Sequence, residues 1–270
     1  MTWLARSLVL VLLVAIGGCG GAADDDYMGP DRKAKGLVII LPGIEGESSF
    51  NHQIRYGLMA GGIDWALPIY RWGRPVPVAG MLLNQMDFIG NRIEAAKIAG
   101  MIVQYQDSYP NRPVYLVGHS GGGGMAVFAV EALPEGRQVD GVVLLSASIS
   151  SVYDLTRALR HCRKGIANYY NTADVGLLGI GTIIAGNVDG IHGPSAGLIG
   201  FNMPGPGSSK ERLSAYERLR QHRLDEAYFY GEDAHAAATS ASFISSQVAP
   251  WISSDVSAVR GSLLVARRPD

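Results

Sequence analysis

The stretch from Pro113 to Gly124 leaves this chain little freedom. It reads Pro-Val-Tyr-Leu-Val-Gly-His-Ser-Gly-Gly-Gly-Gly. Val114 to Val117 is a run of β-branched, aromatic and apolar residues, as expected of a strand covered on both faces. Met125 to Ala132 is apolar and alanine-rich and suits a helix. Between them lies Gly118-His119-Ser120-Gly121-Gly122, a G-x-S-x-G. Strand, tight turn with serine at its tip, then helix is the context in which this motif presents a serine hydroxyl as a nucleophile. The glycines have a steric reason. Side chains flanking so sharp a turn would strike the adjoining strand and helix, and a strained backbone favours residues without a Cβ.

The motif alone is not specific, because the chain holds 35 glycines. A second copy occurs at Gly193-Pro194-Ser195-Ala196-Gly197. No strand pattern precedes it, and Pro194 lacks the backbone amide and the freedom in φ that such a turn needs. It reads as a glycine-rich loop.

The 270 residues, 47% of them apolar, can bury the core of one large α/β domain. Net charge is −1, only 17% of residues are charged, and no basic patch or charged tail occurs, which argues against a nucleic-acid partner. The two cysteines, Cys19 and Cys162, cannot make a zinc site alone, and no histidine pair has ligand spacing on one helix. No metal or other cofactor is implied. Cys162 lies in a helical pattern among basic residues and reads as a buried or half-buried thiol.

At the N-terminus, Arg6 precedes the short apolar run Ser7 to Ile16, then Gly17-Gly18-Cys19. A positive residue, a short apolar core and small residues at the break describe an export signal, too short for a comfortable membrane span. Ile16-Gly17-Gly18-Cys19 resembles a bacterial lipoprotein signal. That resemblance implies a mature N-terminus at Cys19 carrying acyl chains, hence an envelope protein anchored at a membrane surface. An ordinary secretory signal remains the alternative. The expected divisions are a signal over 1–18, a flexible polar tether over 19–35, one domain over 36–255 and a tail over 256–270.

Along the domain, apolar runs at 36–41, 63–72, 114–117, 139–146, 166–171 and 226–230 read as strands. Helical patterns fall at 49–61, 91–109, 125–132, 154–163, 211–221 and 240–252. This alternation predicts an α/β fold, with a mainly parallel central sheet and helices on both faces. Ligands of such sheets bind at the carboxyl ends of the strands.

The elbow, the Leu41-Pro42-Gly43 turn after the first apolar strand and a late histidine before a final helix resemble the serine hydrolases of the α/β-hydrolase superfamily, over roughly residues 36–252. The superfamily's chain order is nucleophile, acid, histidine. Among six histidines, His192 and His235 follow Ser120 in loops, and the resemblance favours His235, with His192 as the alternative base. For the acid it favours Asp174, just past the second strand after the elbow, with Asp154 as the alternative; Asp154 otherwise reads as a helix cap. Oxyanion donors would be the backbone amides of Gly121 and Ile44, or Glu45 in place of Ile44.

The resemblance therefore implies Ser120, Asp174 and His235 cleaving a carboxylic ester through an acyl-serine. A thioesterase, amidase or acyltransferase would use the same residues. The glycine-rich segment 175–207 suits either a lid and acyl pocket or a cover over the sheet edge. The competing reading is a catalytically silent fold kept as a binding or scaffolding lipoprotein.

Overall fold

The structure is a computed structural model that describes residues 26–73, 85–174, 186–224 and 234–254. Its centre is a five-stranded sheet, β1 (Leu37–Leu41), β2 (Val114–His119), β3 (Val139–Leu145), β4 (Cys162–Tyr170) and β5 (Leu219–Arg223), in that spatial order. Every neighbouring pair is parallel. The main helices are α1 (Ser49–Ala60), α2 (Phe88–Ser108), α3 (Gly121–Glu131), α4 (Thr156–Arg160) and α5 (Lys210–Tyr216). A C-terminal helical run follows, Ala241–Phe243, one π turn over Ile244–Val248, then Ala249–Ser253.

The apolar strands alternate between two cores because successive side chains leave a strand on opposite faces. Ile39, Leu41, Leu116 and Val142 pack with α2 and α3 on one face. Val38, Ile40, Val117 and Val143 pack with α1 and the C-terminal run on the other. Helix α3 is buried along its whole length, which explains its lack of a polar stripe. Helix α1 is closed by a capping box between Ser48 and Asn51, and α2 by Asp87, which accepts from the Gly90 amide at 2.9 Å. No described helix is long and apolar enough to cross a membrane.

The strand expected over 63–72 is reduced to isolated parallel bridges from Ala66 to Leu37 and from Ile69 to Ile40, on the free edge of β1. Pro68 lies between them and has no N–H to continue the ladder. The chain thus leaves β1 toward one side and returns to its other side as β2. In parallel sheets such a reversal marks the strand ends where ligands bind, here those of β1 and β2.

Other expected boundaries move. The helix expected over 154–163 stops at Arg160, and β4 begins at Cys162, so the buried Cys162 belongs to a strand and not a helix. The helix expected over 211–221 stops at Tyr216, and β5 takes up Leu219–Arg223 as a polar strand, the last of the sheet among the described residues. The strand expected over 226–230 lies outside the described residues.

Residues 27–35, expected as tether, dock on the domain. The Leu67 amide donates to the Tyr27 carbonyl at 3.0 Å, and the Arg55 guanidinium lies 4.0 Å over the Tyr27 ring. Tyr105 Oη donates to the Lys33 carbonyl at 2.7 Å, and Lys35 pairs with Asp64. Of the glycine-rich segment, residues 186–201 cover the sheet: Val188, Ala196 and Phe201 join the core, and the Gly197 amide donates to Ala147 at 2.9 Å. Residues 175–185 lie outside the described residues.

Candidate active site

Strand β2 runs directly into Ser120, which has φ 52° and ψ −123°. This is left-handed backbone for a residue with a Cβ, a strained conformation that the surroundings must hold. They hold it from both sides. The Ser120 amide donates to the Leu145 carbonyl at the end of β3 at 3.0 Å, and the Ser120 carbonyl accepts from the Gly123 amide at 3.0 Å and the Ser148 amide at 2.9 Å. The glycines are needed for closeness. A Cβ on Gly122 would fall on the carbonyl oxygens of Leu41 and Pro42, and one on Gly118 would strike the Gly122 backbone. Helix α3 therefore begins hard against the end of β1.

That contact brings the turn after β1 beside the elbow. A Cβ on Gly121 would lie 2.8 Å from Ile44 Cγ2 and 3.3 Å from the Trp72 ring. Trp72 Nε1 donates to the Pro42 carbonyl at 2.7 Å and fixes the turn. Gly121 and Ile44, the expected donors to an oxyanion, are thus neighbours.

Past β4, Asn171 organises the next loop. Its Oδ1 accepts from the Ala173 amide at 3.0 Å, and its Nδ2 donates to the Ala234 carbonyl at 2.6 Å. The first bond shapes the turn that presents Asp174, and the second holds the residue before His235. Asp174 Oδ2 then accepts from His235 Nδ1 at 2.5 Å, with both side chains buried. This bond fixes the imidazole tautomer and leaves Nε2 as its basic nitrogen. The His235 ring centroid lies 4.8 Å from that of His119, the residue before Ser120. The Asp174–His235 pair thus lies against the residue that precedes Ser120.

The alternatives lie elsewhere. Asp154 closes a local turn just before α4, accepting from the Thr156 amide at 2.9 Å, and its other oxygen faces Arg212 at 3.5 Å; the helix's N-cap is Leu155. These bonds hold its carboxyl below its usual range despite partial burial. His192 is exposed beside Gly186. Ser195, in the second motif, precedes the short helix Ala196–Ile199 and pairs with Ser150, as befits a loop. Among the described residues no three His, Cys, Asp or Glu side chains converge as metal ligands.

Sequence reasoning missed Trp72, Asn171, Ser148 and the contact of His119 with His235. Each acts through backbone or ring contacts that no spacing announces.

No protein-family model and no curated protein sequence matches the chain. Solved structures are similar at low identity. A lipase B from Aspergillus fumigatus is 14% identical over 87% of this chain and 58% of its own, with a TM-score of 0.47. A dienelactone hydrolase from Anabaena variabilis is 17% identical over 81% of this chain and 85% of its own, with a TM-score of 0.47. A lipase/esterase from Lactobacillus plantarum is 13% identical over 75% and 82%, with a TM-score of 0.42. The chain thus spans less than two thirds of the Aspergillus lipase.

Proposed function

We propose that the protein is a serine hydrolase cleaving a carboxylic ester through an acyl-Ser120 intermediate. The observation that carries this reading is the buried 2.5 Å bond from His235 to Asp174, next to a serine held at φ 52° between β2 and α3. A serine hydroxyl is a weak nucleophile at neutral pH and needs a base that is itself oriented. His235 Nε2 takes the Ser120 proton as Oγ attacks the ester carbonyl. Asp174 steadies the imidazolium without taking its proton. The amides of Gly121 and Ile44 meet the oxyanion. The tetrahedral species expels the alcohol, which receives the proton from His235. Water, deprotonated by His235, then attacks the acyl-serine; the acyl–Oγ bond breaks, His235 returns the proton to Ser120 Oγ, and the carboxylic acid leaves.

The export signal and Cys19 support placing this activity at a bacterial envelope membrane, held by a lipid anchor. Metabolic labelling of the full chain with a radioactive fatty acid, lost in Cys19→Ala, tests that part.

A fluorophosphonate probe tests the chemistry. It is expected to label Ser120, with labelling and ester turnover both lost in Ser120→Ala. Turnover retained in Ser120→Ala overturns the reading. A series of p-nitrophenyl esters of increasing acyl length then defines the substrate.

A further inference from the structure

His119 does not face outward from the elbow. It is fully buried, and its ring lies between those of Phe50, at 5.6 Å, and His235, at 4.8 Å. Its Nε2–H donates to the backbone carbonyl of His235 at 3.4 Å. Its Nδ1 is buried with no hydrogen-bond partner, and Glu45 Oε1 stands 3.9 Å from it. Glu45 directly follows Ile44 in the turn after β1. One line of contacts therefore runs from the oxyanion turn, through the elbow, to the backbone of the base.

The protonation states fit this line. Burial, helped by the neighbouring His235, pushes His119 down to about 3, so its ring is neutral near pH 7. A neutral imidazole carries one N–H, and with Nε2–H on the His235 carbonyl, Nδ1 is a lone pair in need of a donor. Burial pushes the Glu45 carboxyl up, against the opposing pull of His235 and a contact to Ser48 Oγ. In its acid form Glu45 is a donor within a short movement of Nδ1. In its ionised form it adds a second negative charge facing His235, besides Asp174. A space-filling role for His119 would call for an apolar ring here and leaves the approach of Glu45 to Nδ1 unexplained.

We propose that His119 and Glu45 are positioning residues for His235, His119 holding the base by its ring and carbonyl and Glu45 coupling it to the oxyanion turn. This rests on the assignment of His235 as the base. The side chains of both set where the imidazole stands, and misplacement by about 1 Å costs on the order of a hundredfold in rate.

The test uses steady-state kinetics on a p-nitrophenyl ester across pH, with circular dichroism to confirm folding. His119→Phe keeps a ring between Phe50 and His235 but removes both nitrogens. Its kcat is expected to fall about 10- to 100-fold with KM little changed. Glu45→Gln keeps a donor for Nδ1 and removes the charge. Its kcat is expected to fall less than that of Glu45→Ala, while the acid limb of kcat/KM moves to lower pH, because the imidazolium loses a facing carboxylate. Wild-type kcat and wild-type pH profiles in both His119→Phe and Glu45→Ala, with Ser120 still labelled by fluorophosphonate, overturn this inference alone. Should His119→Phe not fold, the two Glu45 variants decide it by the same criteria. Absence of labelling in the wild-type protein overturns the assignment of the base and this inference with it.

Discussion

Asp174 and His235 stand 61 positions apart in the chain, and their side chains meet at 2.5 Å in the interior. Asp154, the other acid the sequence offers, is spent on the turn onto Thr156 and on Arg212. The two make opposite predictions. Asp174→Asn is expected to lower kcat about 10⁴-fold by letting the imidazole take the wrong tautomer. Asp154→Asn is expected to keep kcat and lose at most about 1 kcal/mol of stability with its turn bond and its exposed pair to Arg212. Parallel kinetics and urea titrations of the two variants check this.

Two glycines should respond to the same methyl group with opposite signs. A Cβ at Gly122 meets the Leu41 and Pro42 carbonyl oxygens, whereas one at Gly100, inside α2, meets nothing within 4 Å. Gly122→Ala is expected to push α3 off β1, lowering both melting temperature and fluorophosphonate labelling. Gly100→Ala is expected to gain about 0.5–1 kcal/mol of helix stability with kcat unchanged. Thermal melts of both variants decide it.

The protein should lose stability in acid partly through His119. Its folded pKa is about 3 against 6.5 for an unperturbed histidine, so the unfolded chain binds the extra proton first. The stability it contributes is present above pH 6.5 and lost as pH falls toward 3. Glu45 has the opposite sign. Its raised carboxyl favours the folded state at low pH, and that contribution is lost as pH rises above 4.5. Urea midpoints across this range are expected to show a shallower acid decline in His119→Phe, and a gain toward neutral pH in Glu45→Gln.

Lys164 holds the end of the C-terminal helical run. Its Nζ donates to the Trp251 carbonyl, to the Ser254 carbonyl at 2.6 Å and to Ser254 Oγ at 2.8 Å, in a site where the lysine is 3% exposed. Lys164→Met keeps the stem and orphans those acceptors, so a loss of about 1–3 kcal/mol is expected. Denaturant unfolding measures it, and hydrogen exchange should show the loss first at residues 249–254.

The chain displays some of this architecture openly and hides the rest for physical reasons. β1, β2 and β3 are buried on both faces, so Leu37–Leu41, Val114–Val117 and Val142–Leu145 are continuous apolar runs. The elbow is legible because steric closeness forces its glycines. β5 is not legible, since this strand, the last of the sheet among the described residues, carries Arg220, His222 and Arg223 and has no apolar run. The segment 63–72 is apolar because it covers β1, and it pairs with β1 only through isolated bridges, since Pro68 has no N–H to give the ladder. Asp174 and His235 could be placed by chain order, but Asn171, which sets both their loops, is an ordinary polar residue until its bond to Ala234 is seen.

The docking of Tyr27 sets the length of a leash. Eight peptide steps separate Cys19 from Tyr27, so even fully stretched they reach about 28 Å. Under the proposed lipid anchor at Cys19, a domain tied that closely would search a thin shell above the bilayer instead of the surrounding volume. Its encounters with the proposed ester substrate would then be governed by surface density and by the domain's tilt about Tyr27, more than by diffusion through solution.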